Sequence, residues 1–192
     1  MTNQLIAQNP IYVAFEPLLG LPCWGVHWEA ALNLSMNFGQ PYLNVREPYR
    51  SAARLVRVRQ RAASRRVTVR GPWWLWIHGA SWKLSLRELD PVTGTASSRR
   101  IQQALAFLDG QQLKTVEVSA AAGATRFSFD LGGLLEVRRL GPRKKIDMWI
   151  LYTPDEYALT VRGDGQFSYE ATTAPDHWKP IPAANELHIA KA

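Results

Sequence analysis

The chain has 192 residues, 46% of them hydrophobic, with eight tryptophans and a formal charge of +7. That apolar content can bury a core without a metal or a disulfide, and a lone Cys23 excludes an internal disulfide. No run approaches the ~20 apolar residues of a membrane helix. The first eight residues also lack the basic-then-apolar pattern of a secretion signal, which predicts a soluble, cytoplasmic protein with no membrane partner.

Ile11-Tyr12-Val13-Ala14-Phe15, between Pro10 and Pro17, reads as an edge strand or an ordered arm, because proline cannot donate to a ladder. Leu32, Leu34, Met36 and Phe38 alternate with polar residues, the period-2 signal of a half-buried strand. Gly39 and Pro41 mark a turn, and residues 42–47 read as its return strand. Residues 51–63 fit a helix or an exposed strand, and the rough apolar face of Ala52, Leu55, Val56 and Ala62 favours the helix. Strands follow at 67–69 and 73–77, separated by Gly71-Pro72. Ile101, Leu105 and Leu108 share one helical face between Ser97 or Ser98 and Gly110, which predicts a helix over 98–108. Strand-like runs then recur at 113–118, 125–131, 134–139, 148–153, 157–162 and 166–170. Arg162-Gly-Asp-Gly165 supplies a tight turn between the last two. Residues 171–192 carry little pattern and are expected to pack loosely.

The sequence also suggests an internal repeat. With Pro41 omitted, 34–47 aligns with 127–139, matching Ser35 to Ser128, Gly39 to Gly132 and Val45 to Val137. Leu75-Trp76-Ile77 then matches Met148-Trp149-Ile150, and Trp82-x-Leu84-x-Leu86 matches Tyr157-x-Leu159-x-Val161. Together these features predict an all-β, mainly antiparallel fold with one connecting helix. Two pseudo-repeated β-meanders would pack as a sandwich or partly open barrel in one compact domain. The first half spans 1–97 with an Arg-rich insertion at about 50–70. The helix spans 98–110, the second half 111–182, and a tail 183–192.

Charge is concentrated in one place. Residues 46–70 hold nine arginines against the single acid Glu47, leaving the rest of the chain at −1. Guanidinium groups spaced along a strand or helix can neutralise successive phosphates. Arg57, Arg59, Arg61, Arg65 and Arg66 are the candidate polyanion contacts, with Arg143, Lys144 and Lys145 as a second set. The competing reading is a solvated insertion whose charge blunts a sheet edge. Of Trp73, Trp74 and Trp76, the last two share a strand face, which makes Trp73 the candidate for an outward, partner-binding ring. Cys23, His27 and His78 lack the paired spacing of a zinc site, and Gly79-Ala-Ser81 lacks the second glycine of a nucleophile elbow. No catalytic, metal or cofactor-binding residues are nominated.

Pro22-Cys23-Trp24-Gly25, Val67-Thr-Val-Arg-Gly-x-Trp73 and Phe127-Ser-Phe-Asp-Leu-Gly-Gly133 occur in one chain, followed by Trp149-x-Leu-Tyr152, Leu159-x-Val-Arg-x-Asp-Gly165 and Tyr169. This combination, covering about residues 20–180, resembles a group of bacterial proteins of unknown function. The resemblance implies a shared fold and brings no activity or site residue with it. The second half is more loosely similar to the strand-rich immunity proteins that bacteria deploy against toxins. An inhibitor of a basic nuclease is expected to be acidic, so the basic segment suits an acidic partner instead.

The expected function is a non-catalytic bacterial interaction protein that binds another macromolecule through a β-surface and needs no cofactor. Two alternatives stand beside it. One is polyanion or nucleic-acid binding through the arginines. The other is an enzyme or small-ligand binder with a pocket between the halves.

Overall fold

A computed structural model describes residues 9–29, 32–120 and 122–182 and the backbone of 187–190. Residues 1–8, where the absence of a secretion signal is read, and the remainder of the expected 183–192 tail lie outside the described residues. Helix α1 (Pro10–Phe15) leads through a short 3-10 turn into β1 (Cys23–Trp28), β2 (Leu34–Phe38) and β3 (Tyr42–Arg46). Helix α2 (Val56–Ala62) precedes β4 (Arg66–Arg70), β5 (Trp73–Ile77), β6 (Ala80–Leu86) and β7 (Leu89–Thr93). After helix α3 (Ser98–Leu108) come β8 (Leu113–Val118), β9 (Thr125–Phe129), β10 (Leu134–Arg139) and β11 (Asp147–Tyr152). The chain ends in β12 (Tyr157–Arg162), β13 (Gln166–Ala171), β14 (Lys179–Pro180) and β15 (Leu187–Ala190). No helix among the described residues is long and apolar enough to cross a membrane.

All pairings among the described residues are antiparallel and form two large open sheets, ordered β1-β2-β5-β11-β12-β13-β14 and β15-β8-β9-β10-β6-β7, and a separate two-stranded ribbon, β3-β4. The sheets stack as a sandwich and do not close into a barrel. Each half builds a three-stranded meander, β1-β2-β5 and β8-β9-β10, and then crosses to extend the other half's sheet through β6-β7 and β11-β12. The two halves are therefore related by a pseudo-twofold in strand order and interleaved at the seam.

This topology corrects the residue equivalence read from the sequence. Residues 42–46 are not the return strand of 34–38, because β3 pairs with β4 while β2 pairs with β1 and β5. The topological counterpart of β10 is β5. Leu75-Trp76-Ile77 and Met148-Trp149-Ile150 are adjacent strands of one sheet, with Trp76 opposite Ile150. Amphipathic strands of period 2 resemble one another whatever their place in a sheet, and that is why the alignment slipped.

Helix α1 occupies the position where an edge strand or arm is expected. The Asn9 side chain accepts a hydrogen bond from the Ile11 amide at 2.9 Å and Pro10 starts the helix, so local capping opposes the β-propensity of the run. Burial decides the outcome. Phe15 inserts between the layers, its ring 5.9 Å from Phe127 of β9 and 5.7 Å from Trp149 of β11. Trp149 Nε1 donates to Thr125 Oγ1 at 2.9 Å, a buried hydrogen bond between the sheets. Helix α3 forms at the predicted residues and buries Ile101, Ala104, Leu105 and Leu108. Parts of the segment expected to pack loosely are tied down among the described residues. β14 pairs with β13, Ile181 is buried, and 187–190 pairs with β8.

Candidate interaction surface

Strands β3 and β4 form a ribbon that, among the described residues, pairs with neither large sheet. It continues the β2–β5 hairpin outward past a bend. Between the pairs Phe38–Trp73 and Tyr42–Arg70, residues 39–41 oppose residues 71–72, a one-residue bulge. Gly39 supplies the required positive φ of 81°, and a Cβ there would lie 2.6 Å from Pro72. Two hydrogen bonds pin the joint. Trp24 Nε1 donates to the Gly39 carbonyl at 2.8 Å, and the Gly71 amide donates to buried Asn37 Oδ1 at 3.1 Å. The Arg70 guanidinium lies 4.5 Å from the Trp74 ring centre, a cation–π contact that fixes the ribbon's root.

Strand alternation gives the ribbon two unlike faces. Tyr42, Asn44 and Arg46 oppose Arg70, Thr68 and Arg66 on one side, while Leu43 and Val45 oppose Val69 and Val67 on the other. The four aliphatic residues are 67%, 48%, 55% and 53% exposed in that order. Nine of the fourteen exposed large hydrophobic residues among the described residues fall between Tyr42 and Val69, so the apolar surface is concentrated here.

The ribbon's tip is an ordered unit. The ambiguous segment 51–63 contains a short helix at 56–62 and is not a strand. Ala62 is buried, the Tyr49 amide donates to the Ala62 carbonyl at 2.9 Å, and Arg46 Nη2 donates to the Arg61 carbonyl at 2.6 Å.

The nominated arginines divide by role. Arg59 Nη1 donates to the Ala53 and Arg54 carbonyls, each at 3.1 Å, and stabilises the tip. Arg65 pairs with Glu47 at 2.9 Å. Arg57, Arg61 and Arg66 are exposed, and their guanidinium groups make no ion pair among the described residues. Arg143, Lys144 and Lys145 are exposed in the β10–β11 connection. That connection enters β11 beside the Ile77 end of β5, whereas the ribbon leaves β5 at Trp73, so the two basic segments lie at opposite ends of the strand.

Trp73 does not point outward; its ring packs against the core. Trp74 and Trp76 are the outward pair, with parallel rings 5.8 Å apart. Trp74 also stacks on Tyr152 at 5.1 Å and Trp76 on His78 at 4.2 Å. Arg70, Trp74, Trp76 and His78 thus form one column along β4–β5. Much of the ring surface that would stack on a sugar or base is already covered by neighbouring groups. Sequence alternation identified the shared face of Trp74 and Trp76 but could not tell which side of the sheet they occupy.

Elsewhere, burial and neighbouring charges shift three titratable groups, and the buried His78 Nε2 has no hydrogen-bond partner among the described residues. Burial holds the His78 imidazole below its usual pKa, against the opposing pull of Asp147. Burial also raises the Asp147 carboxyl, more than His78 and Arg162 lower it. Burial and the nearby Asp109 push the Cys23 thiol up to about 12, and its Sγ donates to the Leu108 carbonyl at 3.2 Å. Grooves of about 740 and 390 Å³ lie on the outer face of the six-stranded sheet and share Glu136 and Arg138. There Glu136 is ringed by Arg138 at 3.1 Å, Arg126 at 3.4 Å and Lys83 at 3.9 Å. No group of three or more His, Cys, Asp and Glu side chains among the described residues is arranged to hold a metal ion. Comparison with protein-family models, with curated proteins and with solved structures finds no match.

Proposed function

We propose that this chain is a non-catalytic interaction protein that binds another macromolecule through the β3–β4 ribbon. One observation carries the reading: a two-stranded ribbon with an exposed aliphatic face projects from a joint held by two hydrogen bonds, a bulge and a cation–π contact. An open strand edge beside exposed apolar surface is an aggregation liability that proteins ordinarily cover or shorten. Here it is built out from the sandwich and braced, as a recognition element would be.

The alternatives draw less support. A catalytic pocket between the halves competes with α1, whose Phe15 fills the space between the sheets. In the two grooves on the outer face the carboxylates Glu117 and Glu136 are paired with Arg126, Arg138 and Lys83, and the lining contains no His or Cys. Polyanion binding would use Arg57, Arg61 and Arg66 but leave the aliphatic face without a purpose.

The test is site-specific photocrosslinking in the native host. A photoreactive residue replaces Val45 in one variant and Leu131 or Tyr157, exposed positions away from the ribbon, in controls. A discrete adduct from position 45 and none from the controls is expected. No adduct at 45, or the same adduct at all three, would overturn the proposal.

A further inference from the structure

Resting on that reading, we infer that the ribbon's partner is an acidic protein that contributes an extended segment of alternating apolar and acidic residues, added as a strand along β4. The alternation of β4 dictates that of the partner. Arg66, Thr68 and Arg70 face one side and Val67 and Val69 the other, while β3 occupies just one edge of the strand. A strand laid on the open edge satisfies the exposed backbone groups of β4 and sends successive side chains to opposite faces. On the valine face an apolar side chain is favoured, and on the arginine face a carboxylate is favoured. Extending the partner's sheet in this way places Leu43, Val45, Val67 and Val69 under whatever layer packs on that sheet.

Charge selects among the occupants. The 46–70 segment carries nine arginines and one acid, so a second copy of this chain would bring like charges together. Nucleic acid would satisfy the arginines and could stack on Tyr42 of the same face, but protein–nucleic-acid interfaces are polar and wet, and the four aliphatic side chains of the other face would stay uncovered. The second basic segment, Arg143 to Lys145, lies at the far end of β5 and does not extend the ribbon's basic face. An acidic protein strand uses both faces and the edge.

The experiment uses the full chain and two labelled nine-residue peptides, one alternating Val with Glu and one alternating Val with Lys, followed by fluorescence anisotropy. A 20-base-pair DNA duplex and sedimentation of the chain alone complete the set. The Val/Glu peptide is expected to bind at least tenfold more tightly than the Val/Lys peptide. V67S/V69S should weaken it at least tenfold, and R66E should reverse the preference. Circular dichroism should show all variants folded, since the changed side chains are exposed. Equal binding of both peptides, no binding of either at millimolar concentration, or indifference to R66E would overturn the inference. DNA binding that survives V67S/V69S would identify nucleic acid as the occupant instead. A dimer dissolved by V67S/V69S would identify a second copy. These results would leave the ribbon reading intact, whereas that reading fails by itself if position 45 gives no specific adduct in cells.

Discussion

Replacing Trp149 with phenylalanine removes the indole donor that reaches Thr125 across the sandwich and leaves a void beside Phe15 and Phe127. The expected loss is about 2–3 kcal/mol, combining a lost buried hydrogen bond with a partly unfilled cavity. Urea unfolding checks this as a lower midpoint at unchanged slope. Glu136 gives a pH-dependent test. Burial tends to raise its pKa, but the Arg138 hydrogen bond and the charges of Arg138, Lys83 and Arg126 hold it below the ordinary 4.5. A carboxylate with a depressed folded pKa stabilises the fold above its unfolded pKa, and that contribution disappears as pH falls through the folded value. E136Q should therefore be less stable at pH 7, by about 1 kcal/mol because the surrounding cations are solvated. The gap should close in acid, as read by thermal midpoints across pH. The ring around Glu136 was not legible in the sequence, since its members lie on three strands whose register no local pattern states. Single-strand alternation was more informative. It paired Trp74 with Trp76, but the sheet side eluded it because the stacked column makes an outward tryptophan pair stable.

At the scale of elements, α3 was readable because its apolar face, its start and Gly110 agree with one another. Helix α1 was not, because Ile, Tyr, Val and Phe favour strands and the Asn9-Pro10 start is a weaker signal than five consecutive apolar or aromatic residues. Its burial between the layers overrides propensity. Strand β1 was missed because Gly25, at a φ of +58°, accompanies a register shift that hides its alternation. The ribbon was half legible. Its arginines and the Gly71-Pro72 break were visible and its tip stayed open between helix and strand, while its pairing was assigned to the wrong strand. G39V tests the joint, because it demands positive φ of a β-branched residue and drives a Cβ into Pro72. A cost of about 1–3 kcal/mol is expected, together with faster amide exchange at 42–46 and 66–70. Unchanged exchange there would mean that the bulge does not set the ribbon.

For the whole molecule, the all-β class and its two meanders were expected from the period-2 runs and the central helix. The crossing of β6-β7 and β11-β12 between sheets was not, because sheet membership is decided by packing over distances that no sequence window spans. The interleaved seam joins the two halves by backbone pairing within both large sheets, while the ribbon shares backbone pairing with neither of them among the described residues. That separation permits the most direct test of the central claim. Residues 39–72 are replaced by a four-residue turn like Asp130–Gly133, which joins β9 to β10, and partner co-purification from the native host is measured on the folded variant. The expected result is loss of the partner captured by the full chain, with the thermal midpoint within a few degrees of the original. Retention of the same partner by the ribbon-less sandwich would contradict the account.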